Sequence, residues 1–252
     1  MRLENKTAVI TGASSGMGRD MVRLFVREGA NVVAVARREG RLAELQDSLR
    51  DGPGRMEIYA GDVSRREVNE GMIDFALKTF CRLDVLVNNA GVTDDQSPIA
   101  QVTDETYERM MSINVYGPMC AMRKAVNVFL AQGGGGSIVN VASMGAKRPI
   151  SGPIYCASKA AVTTMSQNVA YMYAPDRIRV NVLAPGAIKT EISAGLEFNP
   201  QGRERTGKLM AACTGLGEGM DVAYAALYFA SDESSFISGA FLPVDNAWLA
   251  GG

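Results

Sequence analysis

Tyr155 and Lys159 stand four residues apart in the segment YCASK, in a chain of 252 residues that contains no histidine. Four residues on a helix is about one turn, so the phenol and the ammonium share a face and can reach each other. A free tyrosine titrates near about 10 and transfers protons poorly at neutrality. A fixed positive charge beside it favours the phenolate, so Lys159 is expected to pull the pKa of Tyr155 down toward the working range. The competing reading is a solvated Tyr and Lys on an amphipathic helix, and the surroundings must decide. Without histidine a Ser-His-Asp triad is impossible. The four cysteines, Cys81, Cys120, Cys156 and Cys213, are scattered with no CxxC, which predicts reduced thiols and no zinc site. Cys156 adjoins Tyr155 but projects about 100° away round the helix.

A second group of residues could hold a phosphate. In TGASSGMG, residues 11–18, Gly12 permits a tight turn, Gly16 lets backbone approach a pyrophosphate, and Gly18 allows close helix–strand contact. Ser14, Ser15 and Met17 fill the same turn. A helix opening here would point amide donors and its positive dipole end at the anion. Glycine turns alone are weak evidence; one lying between a strand and a helix is much stronger. The next apolar run ends VAVARR, with Ala36 where a carboxylate would bind a free ribose 2′-hydroxyl, followed by Arg37 and Arg38. An acid there repels a 2′-phosphate and an arginine fork pairs with one, so NADP is the expected cofactor.

These residues need a scaffold. Apolar, β-branched runs at 7–10, 32–36, 56–60, 83–87, 137–142, 178–184 and 239–244 predict strands buried on both faces. Helix-length segments at 16–28, 40–50, 65–80, 103–131, 155–174 and 221–231 alternate with them. Such alternation predicts an α/β fold, a doubly wound parallel sheet of seven strands with helices on both faces. No composition break divides residues 1–252, which read as one domain. Residues 187–219 begin at the carboxyl end of a strand, where ligands bind in such sheets, and are expected to form a substrate flap. Charge is balanced, 26 Lys+Arg against 27 Asp+Glu, which gives no basic surface for nucleic acid. The start lacks the apolar core of a signal peptide and no run approaches a membrane span, so a soluble cytoplasmic protein is expected.

With these segments in order, the sequence resembles the classical short-chain dehydrogenase/reductase family over essentially its whole length. The matches are TGASSGMG, GDVS with Asp62, NNAG at 88–91, SINVYG with Asn114, NVAS with Ser143, YCASK, and APGAIKT at 184–190. The resemblance implies a Rossmann-type sheet and a tetrad in which Tyr155 is the general acid/base and Lys159 tunes it and binds the nicotinamide ribose. Ser143 would bond the substrate oxygen, and Asn114 would hold a water linking Lys159 to solvent. It further assigns Asp62 and Val63 to the adenine and Asn89, Ala90 and Gly91 to the cofactor face. Pro185, Gly186, Ile188 and Thr190 would lie along the nicotinamide end. Serine and tyrosine here stand one residue closer than is common in the family; Ser143 ends the fifth strand and is preferred, with Ser151 as the alternative. The C-terminal VDNAW replaces the family's usual Val-Asp-Gly-Gly. The implied assembly is a homotetramer built through 103–131, 155–174 and 236–249.

The expected activity is therefore an NADP-linked interconversion of a secondary alcohol and a ketone on a free small molecule. Bulky apolar alcohols, steroid-like or bile-acid-like, are compatible with a pocket edge at Met144 and Ile150. The alternatives are a ketoreductase of acyl groups on an acidic carrier protein and, from another class, a silent dinucleotide-binding regulator. The complete tetrad counts against the regulator. An acidic carrier would need clustered basic residues, yet no charge appears from Ala125 to Gly136, and Asp94 and Asp95 would repel it if they faced the cleft. Arg123 and Lys124, and Arg203, Arg205 and Lys208 in the flap, are the opposing observation.

Overall fold

In the computed structural model, which describes residues 1–251, one seven-stranded sheet runs in the order β3-β2-β1-β4-β5-β6-β7 with every pair parallel. The strands are β1 (Thr7–Thr11), β2 (Asn31–Ala36), β3 (Arg55–Ala60), β4 (Val85–Asn88), β5 (Gly136–Val141), β6 (Ile178–Pro185) and β7 (Phe241–Val244). The helices are α1 (Gly16–Arg27), α2 (Glu39–Asp47), α3 (Arg66–Phe80), α4 (Asp104–Met111), α5 (Gly117–Gln132), α6 (Pro153–Met172), α7 (Pro200–Ala211) and α8 (Gly219–Ala230). The doubly wound expectation holds. Neighbours Val9 and Ile10 in β1 belong to opposite core layers, as the pleat requires. One layer packs α1 and α8 around Phe25 and Leu227; the other packs α3 and α5 around Ile73 and Phe129. Each such fully buried side chain contributes roughly 1.5–3 kcal/mol. Strand order reverses between β1 and β4, and the crevice at their carboxyl ends is where this fold binds ligands.

Three features depart from the sequence expectation. The helix anticipated at 103–131 is interrupted by a π-helical turn, Ser112–Tyr116, between α4 and α5. Pro118 has no N–H to return to the carbonyl four residues back, that of Asn114, so regular α bonding fails there. The long segment after β6 is not irregular throughout. It carries α7, whose N-cap Asn199 accepts a hydrogen bond from the Gly202 amide at 3.0 Å. Its base is closed where Ile188 bridges Gly217. The third departure is at Met144, which is fully buried and does not form a pocket edge.

Candidate active site

Site construction starts at the first β–α turn. Gly12 has φ +69°, and a side chain there would meet the Asn89 amide nitrogen at 2.7 Å; one at Gly18 would strike the Gly12 carbonyl at 2.3 Å. Only glycine lets the end of β1, the start of α1 and the NNAG segment meet this closely. Thr11 ties the segment down: its hydroxyl accepts from the amides of Asn89 and Ala90, each at 3.0 Å. The Asn89 side-chain carbonyl oxygen is buried with no partner, an orphaned acceptor at the wall of the crevice.

The crevice is a groove of about 350 Å³. It gathers Gly12, Ser14 to Gly18, Arg37, Arg38, Asp62, Val63, Asn89 to Gly91 and Thr190, all anticipated from the sequence. It also gathers Gly61, Val92, Ile113, Glu191, Ile192 and Ala194, which were not. Gly61 and Ile113 lie in the GDVS and SINVYG segments, Val92 directly follows NNAG, and Glu191, Ile192 and Ala194 belong to the flap. Pro185, Gly186 and Ile188 do not line it. Pro185 ends β6 buried, Gly186 is pressed against Asp245, and Ile188 packs over Gly217 beneath the flap.

Of the two arginines, Arg38 is the one anchored toward the turn, donating to the Ser14 and Ser15 hydroxyls at 3.2 and 3.0 Å. Glu191 of the flap bridges Arg41 at 2.7 Å and Arg38 at 3.4 Å. Arg41, with Arg38 behind it, holds the Glu191 carboxyl below the usual carboxylate range.

Tyr155 lies in the first turn of α6 and is buried. Ser143 follows β5 and caps the short 3₁₀ turn Met144–Ala146, its oxygen accepting from the Gly145 amide at 3.0 Å. Gly145 lets the serine and the phenol come together: a side chain there would lie 3.4 Å from the Ser143 oxygen and 3.1 Å from the Tyr155 ring. The Ser151 hydroxyl is engaged elsewhere, donating to Asp94 at 3.0 Å. Lys159 is buried, and its ammonium donates to the Val141 carbonyl at 3.0 Å, 5.8 Å from the centroid of the Tyr155 ring. The π turn aims Asn114 inward, where its amide exchanges two bonds with the Val92 backbone, both at 3.0 Å, and donates to Ser158. Gly91 joins the two halves of the site: a side chain there would sit 3.2 Å from the Lys159 ammonium and 3.3 Å from the Asn114 oxygen.

The electrostatics correct one expectation. Lys159 does not lower the pKa of Tyr155 in this structure. Burial pushes the phenol up to about 12, opposed by the nearby Ser143 hydroxyl, and burial alone pushes Lys159 down to about 8. Each group is stripped of water more than it is compensated by the other. A second correction concerns Asp94, which is buried, whereas its neighbour Asp95 is half-buried. Asp94 is buried against α6, and Asp95 accepts from the amide and hydroxyl of Ser97. Of the two, only Asp95 is left to repel an acidic carrier. Among the described residues no cluster of His, Cys, Asp or Glu could hold a metal, and no helix is long and apolar enough to cross a membrane.

With this geometry in view, comparisons with known proteins become informative. Residues 12–247 match a family model described as Enoyl-(Acyl carrier protein) reductase. Over 250 residues the chain is 39% identical to 3beta-hydroxysteroid dehydrogenase 2 of Eggerthella lenta, covering 98% of this chain and 96% of that protein. It is 34% identical over 246 residues to the 3-oxoacyl-[acyl-carrier-protein] reductase FabG of Thermotoga maritima, covering 97% and 98%. A short chain dehydrogenase from Mycobacterium paratuberculosis solved bound to NAD superposes with a TM-score of 0.91 at 27% identity, covering 99% of this chain and 100% of that one.

Proposed function

Because the chain belongs to the classical short-chain dehydrogenase/reductase family, an oxidoreductase family that acts on CH–OH groups, we propose an NADP(H)-dependent enzyme that interconverts a secondary alcohol and a ketone on a free small molecule. The observation that carries this reading is the convergence of Ser143, Tyr155 and Lys159 beside Gly91, which lines the Gly-rich groove. A dinucleotide suits the groove: the glycine cradle excludes side chains, the α1 N-terminus faces it, and the orphaned Asn89 oxygen offers an acceptor. The bound cofactor supplies or accepts the hydride.

This chain's own residues do the rest. The Tyr155 phenol, held protonated by burial, gives its proton to the carbonyl oxygen in reduction. Ser143, its own oxygen fixed by the Gly145 amide, donates to the same substrate oxygen where negative charge develops. Lys159, its ammonium held by the Val141 carbonyl beside Gly91, would anchor the cofactor ribose. Asn114 fixes the Val92 backbone beside Gly91 and Lys159, keeping that wall rigid. Arg38, with Arg37 beside it, reads the 2′-phosphate.

The substrate class we favour is a bulky apolar alcohol of steroid or bile-acid type, supported by the 39% identity to the hydroxysteroid dehydrogenase. Reduction of carrier-linked 3-oxoacyl groups is the second reading, favoured by the similarity to FabG. We further place the enzyme in the reducing cytoplasm, which its four unpaired thiols suit, as a homotetramer. The test is a panel of 3-oxosteroids, small ketones and a 3-oxoacyl carrier, each assayed with NADPH and NADH. The reading predicts that an oxosteroid with NADPH gives the highest kcat/KM; a carrier-linked substrate outrunning every free ketone overturns it.

A further inference from the structure

The loop after β4 contains the sequence TDDQS, and Asp94 within it is a carboxylate buried to 4% exposure. A lone buried carboxylate is costly unless its charge is met by donors. Asp94 is met from one direction. One oxygen accepts from the Gly152 amide at 3.0 Å, the Ser151 hydroxyl at 3.0 Å and the Gln96 amide at 3.2 Å; the other accepts from the Tyr155 amide at 3.1 Å. Gly152 is the N-cap of α6 and Tyr155 the third residue of its first turn, so Asp94 supplies, from 61 residues away, the cap that Gly152 has no side chain to make. The fit requires glycine, since a side chain at 152 would meet the Asp94 carboxylate at 2.3 Å.

The same loop grips the flap with its other side. The Asp95 carbonyl accepts from the Asn199 amide at 2.8 Å, and the Asn199 side chain donates to Ser97 at 3.2 Å and to Gln101 at 2.7 Å. Asn199 is the N-cap of α7. Here too a glycine allows the approach: a side chain at Gly202 would lie 1.8 Å from the Gln96 carbonyl. Gln96 itself takes φ +66°, a left-handed conformation that an L-residue adopts only at a cost and that turns the loop from one helix to the other.

We propose that Asp94–Ser97 is a two-sided strap that seats the first turn of α6 and the first turn of the flap helix α7 from one short piece of chain, with Asp94 the positioning residue for Tyr155. The proposal rests on the reading of Tyr155 as the proton-transfer residue. Through this strap the flap and the phenol are positioned together, so loosening one loosens the other. Asp94 also acts on the phenol through its charge, which adds to burial in keeping Tyr155 protonated. The charged and titratable groups around that phenol are few. Asp94 comes from the loop, and Cys156 and Lys159 from α6 itself. Arg109 of α4 is directed to the Thr93 carbonyl, Lys147 to the Phe241 ring and Arg148 to the Leu249 carbonyl.

Asp94→Asn keeps the shape and removes the charge. Its expected kcat for ketone reduction falls about 10²-fold, the scale of an ångström-sized misplacement, while NADP binding measured by fluorescence titration is nearly unchanged. The alkaline limb of its pH–rate profile moves to lower pH, which a merely structural role does not predict. Hydrogen exchange should quicken at both 152–156 and 200–206. If Asp94→Asn does not fold, Asn199→Ala tests the strap from the flap side, with faster exchange expected at 152–156 as well as in α7. Wild-type kcat and pH profile in Asp94→Asn, beside an inactive Tyr155→Phe, overturn the strap and leave the reading of Tyr155 standing. An active Tyr155→Phe overturns that reading instead. Exchange that quickens on one side of the strap alone refutes the coupling.

Discussion

Lys159 and Tyr155 share a face of α6, but the lysine ammonium donates to the Val141 carbonyl at 3.0 Å and lies 5.8 Å from the centre of the phenol ring. Both groups are buried, and burial shifts each toward its neutral form: Lys159 to about 8 and Tyr155 to about 12. At neutral pH the charged Lys159 is therefore held at a cost to stability that the site's chemistry requires.

That cost has a pH signature. Between about 8 and the ordinary lysine value of 10.5 the unfolded chain binds more protons at Lys159 than the folded one, so stability without ligand should rise with pH there. Tyr155 acts with the opposite sign, since its pKa is raised; its contribution is full below the usual value of 10.0 and is lost as pH climbs toward about 12. Lys159→Met should stabilise the protein near pH 7, by about 3 kcal/mol at most, while losing activity. Denaturant unfolding from pH 7 to 10 checks this; a Met variant less stable than wild type at pH 7 contradicts it.

Ser143, which lies with the phenol beside Gly145, should matter far more than Ser151, whose hydroxyl is given to Asp94. Ser143→Ala should lower kcat on the order of 10²-fold or more, as losing an oxyanion donor does. Ser151→Ala should cost much less. The reverse order in steady-state assays would show that the shortened loop presents the other serine.

Glu191 pairs with Arg41 and with Arg38, the arginine that would receive a 2′-phosphate. Arg38→Ala should weaken NADP about 10- to 100-fold, the worth of charge-assisted bonds, and leave NAD little changed. Arg37, also in the groove but with no such anchor, should have a smaller effect. Glu191→Gln frees both Arg38 and Arg41 and should tighten NADP relative to NAD by roughly two- to fivefold. Titration with 2′,5′-ADP against 5′-AMP reads this without turnover; equal affinity for the two in the wild type contradicts it.

The VDNAW segment carries stored strain. Asn246 and Ala247 adopt φ +50° and +66°, and alanine pays more for that conformation than glycine. The conformation lets Asn246 bond the Thr214 carbonyl at 3.1 Å and brings Trp248 Nε1 to the Leu209 carbonyl at 3.1 Å, seating the flap from its far side. Ala247→Gly should stabilise the fold by about 0.5–1 kcal/mol. A lower melting temperature for this variant contradicts the strain.

What the sequence revealed was local. TGASSGMG is legible because its glycines answer a steric demand within eight residues, and YCASK because helix geometry alone joins its two groups. The helix α7 was not legible. Its residues PQGRERTGKLMA are mostly polar and include two glycines, so it has little apolar face, and its N-cap bonds reach back about 100 residues to Ser97 and Gln101. Asp94 was misread for the same reason. As a sequence position it is one of two adjacent acids; only the sheet order, which sets β4 beside β5, brings its loop under α6. The downward pull of Lys159 on Tyr155 was inferred from spacing, whereas burial, which spacing does not report, decides the direction.

The central claim is that Tyr155 transfers the proton in a reaction whose cofactor binds independently of it. The measurement is the kcat of Tyr155→Phe for ketone reduction with NADPH, taken beside the Kd of the same variant for NADP. The account predicts near-complete loss of turnover with a Kd close to that of the wild type. A Phe variant that keeps most of its rate contradicts it.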